Sequence, residues 1–305
     1  MPRYSPLASP KATIAVLQNN GLYTKKSLGQ HFLIDDGVVG KILKLAAPSP
    51  GETLLEVGPG IGTLTLALLE TGNPIIAIEK DAALLPVLQA VTVGGGVGGA
   101  RSRTRATPPA PPVSSDFTLL HADALDLDAL AGHLPATPLA LVANLPYQVA
   151  ATLVLACFER LPQLTSATVM VQREVAERMM ASPRTKAYGA YTVKLALLAR
   201  VVGSFPVSRT SFLPPPRVDS TVIRLERLPE RPGQGGQPDL PALIDAAFAM
   251  RRKTLANNLK AAGIDCSPRA LSELGIPPAA RAEELSPEQF VRLAATSGFP
   301  VDRSL

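Results

Sequence analysis

Between about residues 38 and 172 the sequence alternates between helical and strand-like segments, which limits the folds open to the chain. Helical periodicity predicts helices over Val38–Ala47 and Thr63–Leu69. Apolar runs predict a buried strand over Thr53–Val57 and further strands over Pro74–Glu79, Phe117–His121, Leu139–Ala143 and Ala167–Gln172. Strands separated by helices form βαβ units with parallel strands. We therefore expect an α/β domain whose parallel sheet is covered by helices on both faces.

Two segments rich in glycine and proline interrupt this pattern. Residues 92–115 lack an apolar period and are expected to form a surface insertion. Residues 229–238 are expected to form a linker between a first domain, residues 1–228, and a second, residues 238–305. The second domain is expected to be small and all-helical, because three of its prolines follow N-cap residues: Pro241, Pro268 and Pro287.

Two further signals concern helix ends. Pro86 predicts a kink or a late start in the helix expected after Asp81, since proline disrupts a helix interior. Ser286 and Gln289 fit a capping box, in which each residue accepts a hydrogen bond from the other's backbone N–H.

The composition excludes several classes of protein. The chain has 305 residues, of which 46% are hydrophobic and 18% charged, so it is not wholly disordered. No apolar stretch approaches the ~18 residues that a membrane span needs. Cys157, Cys266 and the three histidines show no metal-ligand spacing, so neither a disulfide framework nor a metal site is expected. Without the apolar region of a secretory signal, a cytoplasmic location is expected.

Charge is unevenly distributed along the chain. Residues 1–30 carry four Lys/Arg and no Asp/Glu, and residues 31–185 carry ten against fourteen. Residues 186–305 carry sixteen against eleven. An acidic middle between basic ends fits a catalytic core flanked by polyanion-binding surfaces, and it fits ordinary solvated charge equally well.

A glycine-rich turn joins the first predicted strand to the following helix. Gly58, Gly60 and Gly62 allow the backbone to approach a ligand closely. Glu79 ends the next strand, 21 residues after Gly58, in a position to accept hydrogen bonds from ribose hydroxyls. The spacing is G-x-G-x-G, which predicts a nucleoside site; a pyrophosphate-binding NAD enzyme and a bare strand–helix turn remain alternatives.

Asp123 follows the third predicted strand, at the carboxyl edge of the same sheet. Ligands of open α/β sheets bind at that edge, so its carboxylate is a candidate acceptor for an adenine amine. The alternative is a helix cap, the commoner role of a lone aspartate at a strand end.

The tetrapeptide Asn144-Leu-Pro-Tyr147 follows the fourth predicted strand at this edge. The N6 amine of adenine is a poor nucleophile, because its lone pair is delocalised into the ring. Acceptance of both amine hydrogens, by the Asn144 side chain and the Pro146 carbonyl, would free that lone pair. Tyr147 offers a stacking face for a flipped base. An ordinary turn is the alternative.

These motifs resemble the adenine-N6 methyltransferases and, more narrowly, the small-subunit (16S) ribosomal RNA adenine dimethyltransferases, the kasugamycin-resistance family. The resemblance covers residues 24 to 293. Seven motifs occur in the family's order, at residues 25–33, 55–62, 144–147, 171–179, 212–220, 248–255 and 281–285.

The resemblance implies a doubly wound, Rossmann-like methyltransferase domain with a small C-terminal helical domain. It implies S-adenosyl-L-methionine as cofactor, held by Gln30, His31, Leu33, Gly58, Gly60, Glu79, Asp123 and Asn144. It also implies that Phe212 stacks on the target adenine opposite Tyr147, unless Phe212 is a core aromatic. The family usually has asparagine where this chain has His31, and a short connection where it has the 92–115 insertion.

The resemblance further implies dimethylation of two adjacent adenines near the 3′ end of small-subunit rRNA. The small subunit is then the partner, and a monomer is expected, since nothing in the sequence demands a second subunit. Arg251-Arg252-Lys253, expected at a helix start, and Arg217 are candidate phosphate contacts, with a solvated helix face as the alternative. Alternative functions are a large-subunit adenine methyltransferase of the macrolide-resistance type and a non-catalytic ribosome-assembly factor.

Overall fold

A computed structural model of the chain describes residues 3–22, 30–93, 117–230, 240–264, 266 and 268–296. Most of the predicted insertion, most of the predicted linker and residues 25–29 of the first family motif lie outside these ranges.

The strands lie where the apolar runs predict them, with additional strands before and after. They are β1 (Phe32–Leu33), β2 (Thr53–Val57), β3 (Ile75–Glu79), β4 (Phe117–His121), β5 (Leu139–Asn144), β6 (Leu164–Gln172), β7 (Ala199–Val207), β8 (Phe212–Leu213) and β9 (Ser220–Arg227). Every residue of β2 and β3 is buried, as expected of strands covered on both faces.

Seven of these strands form one sheet in the order β4-β3-β2-β5-β6-β9-β7. The five neighbouring strands β4, β3, β2, β5 and β6 are parallel to one another, as predicted. Strand β9 runs in the opposite direction and pairs antiparallel with β6. The short strands β1 and β8 form a separate antiparallel pair, in which Leu33 lies opposite Phe212.

The described helices are α1 (Pro10–Asn19), α2 (Asp36–Ala46), α3 (Thr63–Leu69), α4 (Leu85–Val93), α5 (Leu127–Leu130), α6 (Ala150–Arg160), α7 (Arg173–Met179), α8 (Ala190–Ala196), α9 (Leu240–Phe248), α10 (Leu255–Ala261), α11 (Pro268–Glu273) and α12 (Pro287–Thr296). No helix in the described part of the chain is long and apolar enough to cross a membrane.

Capping explains where these helices begin. Helix α2 starts two residues earlier than predicted, because the Asp35 carboxylate accepts a hydrogen bond from the Val38 N–H (3.1 Å). Helix α4 starts late, as predicted, with Pro86 as its second residue. The capping box at α12 is confirmed: the Ser286 N–H donates to Gln289 Oε1 (2.9 Å) and the Gln289 N–H to Ser286 Oγ (3.4 Å).

The chain divides into two compact units. The first comprises Met1–Arg173 and Val201–Glu226, and the second comprises Glu174–Arg200 and Arg227–Leu305. This division differs from the expected boundary, because residues 174–200 fall in the second unit. The reason is apolar packing: Tyr188, Val193 and Leu197 belong to the buried core that helices α9 to α12 build.

The core of the second unit is aromatic at its centre. Phe248 packs against Phe290 with ring centroids 5.8 Å apart, and against Tyr188 at 6.2 Å. The Tyr188 hydroxyl donates to the Leu285 carbonyl (2.8 Å), so its polar end is satisfied. The helical prediction for this region is therefore confirmed, with α8 as an added member.

Candidate active site

The glycine turn between β2 and α3 brings the backbone close to two neighbouring elements. Gly58 and Gly60 have φ values of 67° and 63°, a region that favours glycine. A Cβ atom on Gly58 would lie 3.3 Å from the Pro146 ring, and one on Gly60 would lie 3.3 Å from the Phe32 ring. Glycine at these two positions therefore lets the turn pack closely against Pro146 and Phe32.

Glu79, at the carboxyl end of β3, is hydrogen-bonded to this turn. Its Oε2 accepts from the Gly60 N–H (3.3 Å) and its Oε1 from the Asp81 N–H (2.8 Å). Burial raises the pKa of Glu79, although these backbone hydrogen bonds partly counteract the rise. The side chain is thus held in one orientation at the edge of the sheet.

Asp123 has a local and a longer-range partner. Its Oδ1 accepts from the Leu125 N–H (3.0 Å), which is the turn-forming role, and Lys80 Nζ donates to its Oδ2 (2.7 Å). The Lys80 ammonium lowers the pKa of Asp123 below its usual value. Asp126, not Asp123, caps the following helix, so the helix-cap alternative is wrong for Asp123.

The segment entering β1 contributes three side chains. Gln30 donates from Nε2 to Asp81 Oδ2 (2.9 Å). His31 donates from Nδ1 to the Pro214 carbonyl (2.7 Å), because that carbonyl can only accept. Leu33 is 3% exposed and belongs both to the core and to the wall of the cleft described below.

Asn144 is the last residue of β5, and Tyr147 follows in the turn to α6. The Asn144 amide nitrogen donates to the His31 carbonyl (3.4 Å). The Tyr147 ring stacks on the His31 ring, with centroids 5.7 Å apart and planes at 29°. The Tyr147 hydroxyl shares a hydrogen bond with Ser220 Oγ (2.7 Å). Burial raises the pKa of Tyr147, so the phenol stays neutral.

The structure disagrees with the acceptor role expected of Pro146. The Pro146 carbonyl accepts from the backbone N–H groups of Val149 and Ala150, both at 3.1 Å, where α6 begins. Both lone pairs are therefore used inside the protein. In the part of the chain that the structure describes, no group donates to the neighbouring Leu145 carbonyl.

Phe212 lies opposite Leu33 in the β1–β8 pair but does not reach the cleft that the predicted cofactor-site residues share. Its side chain is 2% exposed and packs in the same core cluster as Leu33 and Val38. Among the described residues it does not line the cleft. This placement fits the core-aromatic alternative, and stacking of Phe212 on a base has no support in this arrangement.

The other predicted side chains converge on one cleft at the carboxyl edge of the sheet. The predicted residues in its wall are Gln30, His31, Leu33, Gly58, Gly60, Glu79, Asp123, Asn144, Pro146 and Tyr147. Ligands of open α/β sheets bind at this edge. The cleft thus combines a glycine turn, carboxylates and an aromatic face.

Five polar residues in the wall of this cleft were not predicted from the sequence, namely Glu56, Thr63, Lys80, Asp81 and Gln148, and two of them have buried oxygens without a described partner. Glu56 is 1% exposed within β2, and no described residue forms a hydrogen bond with its Oε2. Thr63, at the start of α3, has a buried hydroxyl that likewise lacks a partner in the described chain. A single charged residue inside an otherwise apolar strand was the available signal for Glu56.

The predicted basic cluster does not lie at a helix start. Arg251, Arg252 and Lys253 occupy the turn between α9 and α10, and Thr254 caps α10. Arg251 donates to Glu283 Oε2 (2.9 Å) and to the Lys186 carbonyl (3.0 Å), although 59% of its side chain stays exposed. Arg252 and Lys253 are also exposed, as is Arg217 in the first unit.

Within the described ranges no group of three or more His, Cys, Asp or Glu side chains is placed to hold a metal ion.

The buried thiol of Cys157 has its pKa raised to about 12 by desolvation, which keeps it protonated and unreactive.

Comparison with known proteins assigns this architecture to a family. A family profile described as ribosomal RNA adenine dimethylase matches residues 21–297. The chain belongs to this family. Two relatives, both named ribosomal RNA small subunit methyltransferase A, illustrate the likeness. The Rhodococcus opacus protein is 41% identical over 95% of this chain and 94% of its own length. The Thermobifida fusca protein is 40% identical over 90% of each.

Solved structures confirm the Rossmann-like methyltransferase fold of this family member. A dimethyladenosine transferase from Plasmodium falciparum superposes with a TM-score of 0.66 at 22% identity, over 86% of this chain and 96% of that one. The 23S rRNA methyltransferase ErmE superposes with a TM-score of 0.62 at 25% identity, over 87% and 98%.

Proposed function

We propose that this protein transfers methyl groups from S-adenosylmethionine to N6 of two adjacent adenines near the 3′ end of small-subunit rRNA, giving N6,N6-dimethyladenine. The observation that carries the proposal is the placement of Asn144 and Tyr147 on the same cleft as the Gly58 turn and Glu79. The named relatives, which act on the small subunit, favour it over the large-subunit alternative.

The chemistry of the cleft fits this cofactor. Glycine at positions 58 and 60 lets the turn approach the Pro146 and Phe32 rings closely, and in the cleft beside it buried oxygens of Glu56 and Thr63 lack partners in the described chain. We propose that Glu79 holds the ribose and Asp123 the adenine, while His31, Leu33 and the glycines contact the methionine end. When bound, the cofactor supplies an electrophilic methyl group on a sulfonium.

Asn144 is oriented for the target amine. Because its amide nitrogen donates to the His31 carbonyl, its side-chain oxygen is left to accept an N6 hydrogen. Since the Pro146 carbonyl is used by α6, the Leu145 carbonyl is the second acceptor that this tetrapeptide offers. Tyr147, fixed by Ser220 and His31, presents a stacking face to the flipped base.

These residues act by position. Acceptance of both amine hydrogens favours a pyramidal nitrogen with its lone pair available for attack. The amine loses its proton only after it has become positively charged, so the site needs no strong base. Orientation and exclusion of water then supply the acceleration. A pocket that retains monomethyladenine allows the second transfer.

Recognition of rRNA is assigned to exposed basic residues. Arg252, Lys253 and Arg217 are proposed phosphate contacts, because phosphate binding needs accessible cations; Arg251 is exposed too, but its charge is paired with Glu283. Arg251 is proposed to support this turn through Glu283. We further propose that the enzyme is a cytoplasmic monomer whose partner is the small ribosomal subunit. Its first domain is proposed to be catalytic and its helical second domain to bind RNA.

The test is transfer of labelled methyl groups to small subunits that lack the modification, with large subunits and duplex DNA as controls. Label confined to the small subunit supports the proposal. Label in the large subunit would move the assignment to the resistance methyltransferases. Cofactor binding without transfer to any substrate would contradict the enzyme assignment and favour a non-catalytic ribosome-assembly factor.

A further inference from the structure

Glu56 is a buried acid that takes no part in the proposed methyl transfer. Its carboxyl lies at the wall of the cleft with 1% exposure, and no described residue bonds to its Oε2. Thr63, whose hydroxyl is similarly without a partner in the described chain, lines the same wall. An unpaired charge in such a place is costly, so the carboxyl must be neutral or be matched by a ligand.

The groups around Glu56 do not compensate for a negative charge on its carboxylate. The pKa of Glu56 is raised to about 8: burial is the largest cause, the Thr65 hydroxyl offsets part of the rise, and the nearby Glu79 carboxylate contributes to it. The neighbouring elements present Glu79 from β3, Thr63 and Thr65 from α3, and Asn144 from β5.

The basic side chains among the described lining residues are already engaged. Lys80 donates to Asp123, and the His31 ring donates to the Pro214 carbonyl. No protein cation is therefore assigned to Glu56 by the described contacts. A cation that enters the cleft with a ligand would meet an acid that has no counter-ion.

We propose that Glu56 carries a proton in the cofactor-free cleft and releases it when the cationic cofactor binds, so that cofactor affinity is linked to pH. This inference rests on the proposed function, which supplies the identity of the cofactor. S-adenosylmethionine carries a sulfonium and an ammonium, whereas the product S-adenosylhomocysteine has a neutral thioether. The same carboxylate therefore favours the methyl donor over its product.

Calorimetry measures this linkage directly. The wild-type protein is titrated with S-adenosylmethionine at pH 7 in buffers of different ionisation enthalpy. We expect close to one proton released per cofactor bound, and fewer with S-adenosylhomocysteine. Between pH 6 and pH 8 the affinity for the donor should rise by about tenfold per pH unit, and it should level off above that range.

Glu56→Gln tests the assignment, with Glu52→Gln as the matched control. Glu52 precedes the same strand, bonds to Thr165 and lies outside the cleft. Glu56→Gln should bind the donor with a heat that does not depend on the buffer, whereas Glu52→Gln should release the proton as the wild type does. Proton release that persists in Glu56→Gln would assign it to another group and overturn the proposal.

Infrared spectroscopy of the wild type supplies a second readout that needs no variant. The carbonyl stretch of a protonated carboxylic acid should be present in the cofactor-free protein at pH 7 and should disappear when the donor is added. Donor binding without proton release and without this spectral change would contradict the proposal alone. Failure of the wild type to bind the donor would contradict the proposed function instead.

Discussion

The two units of this protein differ in how their predicted polar side chains are arranged. In the first unit the predicted polar residues of the cofactor site converge on one cleft and are held by hydrogen bonds, as Glu79 is by Gly60 and Asn144 by His31. In the second unit the predicted basic residues all stay exposed, although Arg251 pairs with Glu283. A site built on strand ends is preorganised, whereas a phosphate-binding surface needs only accessible charge.

Removal of the Asn144 side chain should give the largest effect. Asn144→Ala is expected to lower methyl transfer by about 10²–10³-fold, the loss typical of removing one preorganised hydrogen-bonding group. The measurement is single-turnover transfer together with cofactor affinity, which should change much less. Asn257→Ala, at an exposed position of α10, is the control and should leave both unchanged. Normal transfer by Asn144→Ala would contradict the proposed site.

Glu56 should make stability depend on pH. Its raised pKa means that the folded state keeps a proton that the unfolded chain loses above about pH 4.5. Stability is therefore fully present below that pH and falls as the pH rises toward about 8. Glu56→Gln removes this loss, so its advantage over the wild type should grow by about 1.4 kcal/mol per pH unit across that range.

Thermal unfolding of the cofactor-free protein at pH 5 and at pH 8 measures this difference. The Glu52→Gln control should follow the wild type at both values. An advantage of Glu56→Gln that is the same at both values would show that Glu56 is ionised throughout.

The exposed cations of the second unit should affect RNA binding without affecting stability. Arg252→Ala combined with Lys253→Ala should weaken binding to small subunits and reduce the salt dependence of log K by about two units of slope. Arg251→Ala should instead lower the unfolding free energy by about 1 kcal/mol, because it loses an ion pair and a backbone hydrogen bond. Filter binding at several salt concentrations and thermal unfolding separate the two results. An equal loss of stability in both variants would contradict the different roles given to Arg251 and to the pair Arg252 and Lys253.

Tyr147→Phe should give the smallest effect. It keeps the stacking ring and loses only the hydrogen bond to Ser220, which is worth about 0.5–1.5 kcal/mol. Transfer should fall by no more than about tenfold, and Ser220→Ala should match it in a steady-state assay. A loss as large as that of Tyr147→Ala would show that the hydroxyl, rather than the ring, is needed.

The sequence predicts the five parallel strands of the sheet better than the end formed by β9 and β7. The apolar runs of β2, β3 and β5 identify these strands because they are buried on both faces. By contrast, β7 at the end of the sheet is mostly exposed and shows no such run. Residues 174–200 join the helical unit through Tyr188 and Val193, a tertiary packing that no local pattern indicates.

The same limit applies to the site. Ten of the predicted residues meet at one cleft. Seven of them lie at strand ends or in the turns after them, which are readable from sequence, whereas Gln30, His31 and Leu33 were expected only from the family resemblance. The use of the Pro146 carbonyl by α6 depends on where that helix begins, and the burial of Phe212 depends on the pairing of β8 with β1. The isolation of Glu56 is visible only once its neighbours are known.

The mass of the 3′-terminal fragment of small-subunit rRNA, measured after reaction with wild type and with Asn144→Ala, tests the assignment of the cleft. The wild type should add two methyl groups to each of two adjacent adenines. In the time that the wild type needs to complete the reaction, Asn144→Ala should leave nearly all of the fragment unmethylated, although it still binds both cofactor and subunit. An unchanged fragment after reaction with a wild type that binds both, or full dimethylation by Asn144→Ala, would contradict the role given to this cleft.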